Sequence, residues 1–244
     1  MSAKLIFYDL PSKQGTAWSL NPWKTRMVLN YKSIPYTTCW IEYPDLAPIL
    51  SSFSIPPNDS SNPDYKFPAD YSSPAVKLPN GTYLMDSWPI AHKLEELYPT
   101  PSLHLHDPIV VTVRDQTSKI MTPLTGFTIT RVPRNLLNPR SAEYFESTRK
   151  VRFGMPLSEV EEKWGTDEYW EEARGPVMQL VEWLKEGGGP YFLGDMVSYA
   201  DFIFVSAMHM MKRIDVNVFR RFLEFDAALP KLYDACKRWL EKDD

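Results

Sequence analysis

The 244-residue sequence reads as an α/β N-terminal domain on a small mixed four-stranded sheet, followed by an all-α C-terminal helical domain. Three observations carry that reading. Strand-like runs alternate with helical segments over the first hundred residues and fade after about residue 108. The first two strand-like runs are separated by a helix, as a parallel crossover requires, whereas the next two are joined by Pro79-Asn80-Gly81, a hairpin turn signal. Between the two regimes stands Tyr98-Pro99-Thr100-Pro101, which stops a helix. These features place one domain at 1–100, with a long proline-rich insertion at 44–70, and a second at 106–244.

Leu5-Ile6-Phe7-Tyr8 is a short apolar run with strand character. Asn21-Pro22 sets a favoured N-cap residue before proline, so the first helix is expected to begin there and to carry Trp23, Met27, Leu29 and Tyr31. Tyr36 to Tyr43 is rich in aromatic and β-branched residues and reads as the second strand. Residues 44–70 hold many Pro, Ser, Asn and Asp and read as a long functional loop. The hairpin Ala75–Leu78 and Tyr83–Met85 follows, then a helix that Ser87 can cap, with Ile90, Leu94 and Leu97 on one face.

In the second half, Ile109, Val113, Ile120 and Leu124 recur at helical spacing, with Pro123 as a kink. Ser158 to Glu161 fits a capping box. Trp170, Ala173, Val177, Leu180 and Leu184 mark one further helix, and Leu229, Leu232, Tyr233, Cys236 and Leu240 the last. Ser198-Tyr199-Ala200-Asp201 is the sharpest local signal. Ser198 caps, Asp201 reaches back, and the residues after it are apolar all round, as in a central helix.

Composition excludes several classes. With 43% hydrophobic and 24% charged residues the chain can bury a core without staples. A net charge of −4, with no Lys/Arg run longer than two, argues against nucleic acid as a partner. No segment approaches the roughly 18 apolar residues of a membrane span, and the opening residues lack a signal-peptide pattern. Cys39 and Cys236 are too far apart for a redox or zinc pair, so a reducing, cytoplasmic setting is expected. His104-Leu105-His106-Asp107 alternates ligand types but has no distant partners, so no metal is expected. Gly187-Gly188-Gly189 follows a helix rather than opening one, and reads as a terminator.

Four features stand in an informative order: a hydroxyl-rich turn from Thr16 to Ser19, Pro74 before the hairpin, Asp86-Ser87 after it, and the capping box at Ser198. In that order the sequence resembles the glutathione transferase superfamily over nearly its whole length. The segments Trp18 to Arg26 and Arg140 to Arg149, with Phe153-Gly154, are similar to the fungal FuA-type transferases, which are related to the bacterial glutathione-dependent β-etherases. The resemblance implies a thioredoxin-like first domain that binds glutathione as co-substrate. It also implies a homodimer, and a site for hydrophobic aromatic, wood-derived molecules between the domains.

The chemistry needs a group that stabilises a thiolate, because a free thiol titrates near about 8.5. A hydroxyl at a helix N-terminus offers a hydrogen bond and the positive end of the dipole. On the family pattern Ser19 fills that role; read alone, it is first a capping residue. Tyr8, at the end of the first strand, is the rival hydroxyl, with core packing as its plainer role. No cysteine lies near residues 16–23, which disfavours the cysteine-type branch of the superfamily. The resemblance further assigns Asn21, Trp23, Ser73, Pro74, Asp86 and Ser87 to glutathione, with Lys66 for the glycine carboxylate. Ser73 presents its backbone to the cysteine of glutathione, although relatives more often have an apolar residue there. Asp86 pairs with the γ-glutamyl ammonium, and Ser87 with the helix start holds the carboxylate. Trp18, Met121, Leu124 and Phe127 are expected to wall the second-substrate site. The implied function is serine-type conjugation of aromatic electrophiles, reduction of hydroperoxides or ether cleavage. The alternative is a non-catalytic ligandin or interaction module on the same fold.

Overall fold

The computed structural model describes residues 4–59 and 69–244. Strand β1 (Leu5–Asp9) is followed by helix α1 (Leu20–Tyr31) and by β2 (Tyr36–Trp40), which pairs parallel to β1. Strands β3 (Ala75–Lys77) and β4 (Tyr83–Met85) form the antiparallel hairpin, and β3 pairs antiparallel to β1. The sheet order is therefore β2-β1-β3-β4, mixed and four-stranded. Gly81, at φ +90°, supplies the turn conformation that an L side chain resists. The bond between Ser73 and Pro74 is cis, and so is that between Thr100 and Pro101.

The segment read as a loop after β2 contains structure. A 3₁₀ turn, Tyr43–Asp45, leads into helix α2 (Leu46–Ser52), which buries Leu46 and Leu50. Its prolines sit where the missing N–H costs least: Pro44 in the turn, and Pro48 in the first helical turn. Helix α1 starts two residues earlier than Asn21-Pro22 suggests. Ser19 takes the N-cap position, with extended dihedrals, and Pro22 is accommodated in the first turn.

After α3 (Ser87–Leu97) the named regular elements are all helices, with two isolated β-bridges, Tyr191 to Gly194 and Leu193 to Met196, before α10. The chain runs through α4 (Pro108–Met121), α5 (Val132–Leu136), α6 (Pro139–Phe153), α7 (Leu157–Trp164), α8 (Asp167–Glu172) and α9 (Arg174–Glu186). It closes with α10 (Tyr199–Ile214), α11 (Val216–Leu223) and α12 (Ala228–Cys236). Asp107 caps α4, its carboxylate accepting from the Ile109 N–H, so the loop with His104 and His106 serves as a helix start. The helix expected to run from Trp170 to Leu184 is two, broken at Ala173. The capping box expected at Ser158 does not form. Pro156 caps α7, and Glu161 turns outward to a bidentate pair with Arg134 at 2.6 and 2.7 Å. The box at Ser198 does form, with Asp201 wholly buried. Helix α10 is central: all but two of its sixteen residues are buried.

Two apolar clusters join the halves. The larger packs Phe7, Trp23, Met27, Ile90 and Leu94 against α4, α9, α10 and α12. The smaller packs Tyr8, Trp18, Ile41 and Leu50 against Val132, Leu136, Phe145 and Met210. A wholly buried ion pair reinforces the first, with Arg26 Nη2 2.8 Å from Asp9 Oδ2. The same guanidinium donates through Nη1 to the Tyr36 hydroxyl and to the Asp244 main-chain oxygen, which offsets much of its burial, while its Nε has no partner among the described residues.

Candidate active site

Ser19 stands where β1 hands over to α1, at the positive end of a twelve-residue helix. Its carbonyl accepts from the Trp23 N–H at 3.1 Å, closing the first helical turn. Its hydroxyl does not cap: no side-chain hydrogen bond to the helix forms, and among the described residues the Oγ has no partner. Ser19 is half-buried, so the hydroxyl is neither lost in the core nor fully solvated. Backbone capping and a spare hydroxyl thus coexist at one residue.

Ser73 is buried, its hydroxyl 3.4 Å from the Tyr8 carbonyl, and Pro74 follows at the head of β3. The Pro74 carbonyl accepts from the Asp86 N–H at 3.0 Å, which fastens the start of β3 to the start of α3. Asp86 is the N-cap of α3, its carboxylate accepting from the Trp88 N–H at 2.8 Å, and its φ is +76°. A side-chain-bearing residue is costly in that region, so the junction is over-determined by its surroundings. Ser87 is buried, and its carbonyl accepts from the Tyr199 hydroxyl of α10 at 3.1 Å. The helical half therefore holds the α3 start in place.

Asn21 is exposed and accepts from Lys24 Nζ at 2.9 Å. Burial pushes the Lys24 ammonium down to about 8, with the Asp86 charge opposing and the Arg114 charge adding to the shift. Lys24, Asp86 and Arg114 thus share one electrostatic neighbourhood between α1, α3 and α4. Sequence reasoning gave Lys24 and Arg114 no role. Arg114 covers the Trp88 ring at 4.9 Å, a contact between α4 and α3 that no local pattern announces.

Several expected site residues lie in the core. Trp23 is wholly buried, its ring edge-on to His209 at 4.5 Å, because it lies on the face of α1 that packs on α10. Here it is a core residue. Leu124 and Phe127 are also core. Past Pro123 the chain continues as a 3₁₀ turn pressed against α7, and Phe127 packs edge-on to Trp170 at 5.0 Å. Gly126 makes that approach possible, since a Cβ there would lie 2.3 Å from the Trp164 carbonyl carbon. Trp18 is buried 6.4 Å from the Tyr43 ring, sealing the smaller cluster. Met121 is partly buried between both clusters. Lys66 lies outside the described residues. Tyr8 packs near Phe53 and Tyr83, and burial, helped by Tyr83, pushes its hydroxyl up to about 12. Enclosed among these rings, Tyr8 is placed as a packing residue.

Arg149 lays its guanidinium over Phe145 at 3.9 Å and near Tyr43 at 5.5 Å. Glu42, just before Tyr43, receives Asn138 Nδ2 at 2.6 Å and the Ser141 hydroxyl, and Asp45 receives Arg140 at 2.6 and 2.7 Å. These bonds dock the end of β2 onto α6. Among the described residues no group of three or more His, Cys, Asp or Glu is placed to hold a metal, and no helix is long and apolar enough to cross a membrane.

A small mixed sheet with helices packed on it, backed by an all-helical domain with a buried capping box, is the architecture of the glutathione transferases. Residues 18–97 match the model of the glutathione S-transferase N-terminal domain, and residues 113–239 that of the C-terminal domain. A glutathione S-transferase-like protein of Aspergillus flavus, ustS, is 34% identical over 97% of this chain and 89% of its own length. A glutathione S-transferase of Ceriporiopsis subvermispora, crystallised in complex with glutathione, is 30% identical, with a TM-score of 0.82 over 97% of both chains. Glutathione transferase GSTFuA3 of Phanerochaete chrysosporium is 27% identical, with a TM-score of 0.86 over 98% of both chains. The chain belongs to the glutathione S-transferase family.

Proposed function

We propose that this glutathione transferase activates its co-substrate through the Ser19 hydroxyl. The observation that carries the reading is the uncapped Oγ of a half-buried serine at the N-terminus of α1. A hydroxyl there donates to an anion while the helix dipole adds to its stabilisation. The residues around it fit the rest of glutathione. Asp86 supplies the negative charge for the γ-glutamyl ammonium. The start of α3 at Ser87 and the cation of Lys24 suit the adjoining carboxylate. Ser73, in the segment leading into β3, offers main-chain groups to the cysteine.

Once ionised, the sulfur is the nucleophile. It attacks the electrophilic carbon of an aromatic compound, and the displaced group leaves with the bonding pair. Hydroperoxide reduction and aryl-ether cleavage are the other reactions open to the same thiolate. The second substrate would approach beside Met121 and Tyr43, partly buried side chains where the two halves meet. The expected apolar wall residues Trp18, Leu124 and Phe127 are buried in the core, which makes a capacious ligandin site the weaker reading.

The test is a pH titration of glutathione thiolate absorbance with the wild type and with Ser19→Ala. The wild type should hold the bound thiol at least one unit below the roughly 8.5 of a free thiol. The variant should return it most of the way while still binding glutathione. Binding with an unshifted thiol in the wild type would discard serine activation in favour of the non-catalytic module.

A further inference from the structure

The turn that presents Ser19 is held by residues nearly two hundred positions away. The Ala17 N–H donates to the Asp243 main-chain carbonyl at 2.9 Å, and the Ala17 carbonyl accepts from Arg213 Nε at 2.9 Å. Arg213 Nη2 also pairs with the Asp243 carboxylate at 2.5 Å. One guanidinium therefore closes a ring that grips the Ala17 residue at its N–H and at its carbonyl, two positions before Ser19. The other end of the turn docks on the end of α5: the Lys13 N–H donates to the Leu136 carbonyl at 2.7 Å. Beyond Ser19, α1 itself fixes the chain.

We propose that Arg213 and Asp243 are positioning residues for Ser19, setting the direction in which its hydroxyl leaves the turn. The proposal rests on the reading of Ser19 given above. Neither side chain has to touch glutathione. They act through the Ala17–Trp18 peptide, whose orientation is inherited by the next residue. Alignment matters because a hydrogen bond weakens steeply away from linearity, and a displacement of about 1 Å can cost up to about a hundredfold in rate. Arginine suits the task because its planar fork serves a carbonyl and a carboxylate at once, which an ammonium cannot do in fixed geometry. The Arg213 and Asp243 side chains are 26% and 32% exposed, a setting in which an ion pair adds little to global stability. The ring is better placed to fix geometry than to hold the fold.

The experiment titrates bound-glutathione thiolate absorbance in the full chain for wild type, Ser19→Ala, Arg213→Lys, Asp243→Ala and the double variant of the last two. Steady-state kinetics and thermal melts accompany each. Arg213→Lys keeps the charge and Asp243→Ala alters a partly exposed side chain, so both should fold. Each single variant should raise the bound thiol pKa and lower kcat by roughly 3- to 10-fold, with KM for glutathione within about twofold. The double variant should fall no further than the worse single one, because both act through one peptide. If Ser19→Ala moves the thiol pKa and neither latch variant does, the positioning role is overturned and Ser19 activation stands. If Ser19→Ala moves nothing, both fall together. A loss of melting temperature with an unmoved thiol pKa would make the ring purely structural and would also overturn the proposal.

Discussion

Asp86 couples backbone and chemistry in one residue. At φ +76° it occupies a region that costs a non-glycine residue about 1–3 kcal/mol, and it recovers part of that cost through the cap bond to the Trp88 N–H. Asp86→Gly would relieve the backbone and lose a cap worth about 1 kcal/mol, so the two effects should leave stability within about 1 kcal/mol of wild type. Asp86→Asn keeps the cap acceptor and removes the charge. Both variants should weaken glutathione binding by about 10- to 100-fold, the value of a charge-assisted hydrogen bond of about 1.5–3 kcal/mol. Calorimetric titration alongside urea unfolding separates the two effects. Undiminished affinity in both variants would remove Asp86 from the γ-glutamyl site and leave it a helix cap.

At the scale of elements, α10 organises both halves from its first turn. Asp201 accepts from the Phe192 N–H at 3.0 Å, the Ser198 N–H at 2.7 Å and the Ser198 hydroxyl at 3.0 Å, all buried. Asp201→Ala would strand those donors, at about 3–5 kcal/mol, and lower the melting temperature by roughly 10 °C in a chain of this size. Ser198→Ala should cost only about 1–2 kcal/mol. Equal melting temperatures for the two variants would contradict this division of roles. The box was legible because it is local: four residues, two side chains and an apolar run. The hairpin at Asn80-Gly81 was legible for the same reason. The start of α1 was not, because Asn21-Pro22 carries the stronger local signal while tertiary packing extends the helix back to Ser19. Helix α2 hid behind proline and serine, which α2 tolerates in its terminal turns. Trp23 reads as a ligand-facing aromatic until α10 covers it, and nothing near Trp23 in sequence announces His209. The same holds for the contacts that set the site. Arg114 with Trp88, Tyr199 with Ser87 and Arg213 with Ala17 are all long-range.

Across the whole molecule, two buried ionisable groups oppose each other as pH falls. Burial, with Arg213 and Lys212 adding, lowers His209 to about 3, so the folded protein binds fewer protons than the unfolded chain between there and the ordinary histidine value of 6.5. Stability from this group is therefore complete above about pH 6.5 and is lost on acidification, by about 2 kcal/mol at pH 5. Asp201 is raised to about 6 by burial, so the folded protein binds more protons between 3.8 and 6, and acidification from pH 7 to 5 returns about 1 kcal/mol. The two nearly cancel above pH 5. Below about pH 4 the Asp201 contribution is saturated while the His209 loss continues. The paired carboxylates Glu95 and Glu161, held below their ordinary values, then add to the loss. Unfolding free energy should thus be almost flat from pH 7 to 5 and fall steeply beneath pH 4. His209→Gln, able to keep a hydrogen bond to the Tyr233 hydroxyl 2.7 Å from His209 Nδ1, removes one side of the balance. Its stability at pH 7 should drop through lost packing on Trp23, yet it should rise by about 1 kcal/mol between pH 7 and 5, where the wild type stays level. Urea unfolding of both proteins at the two pH values decides the matter, and parallel pH profiles would show that His209 is not the group that opposes Asp201.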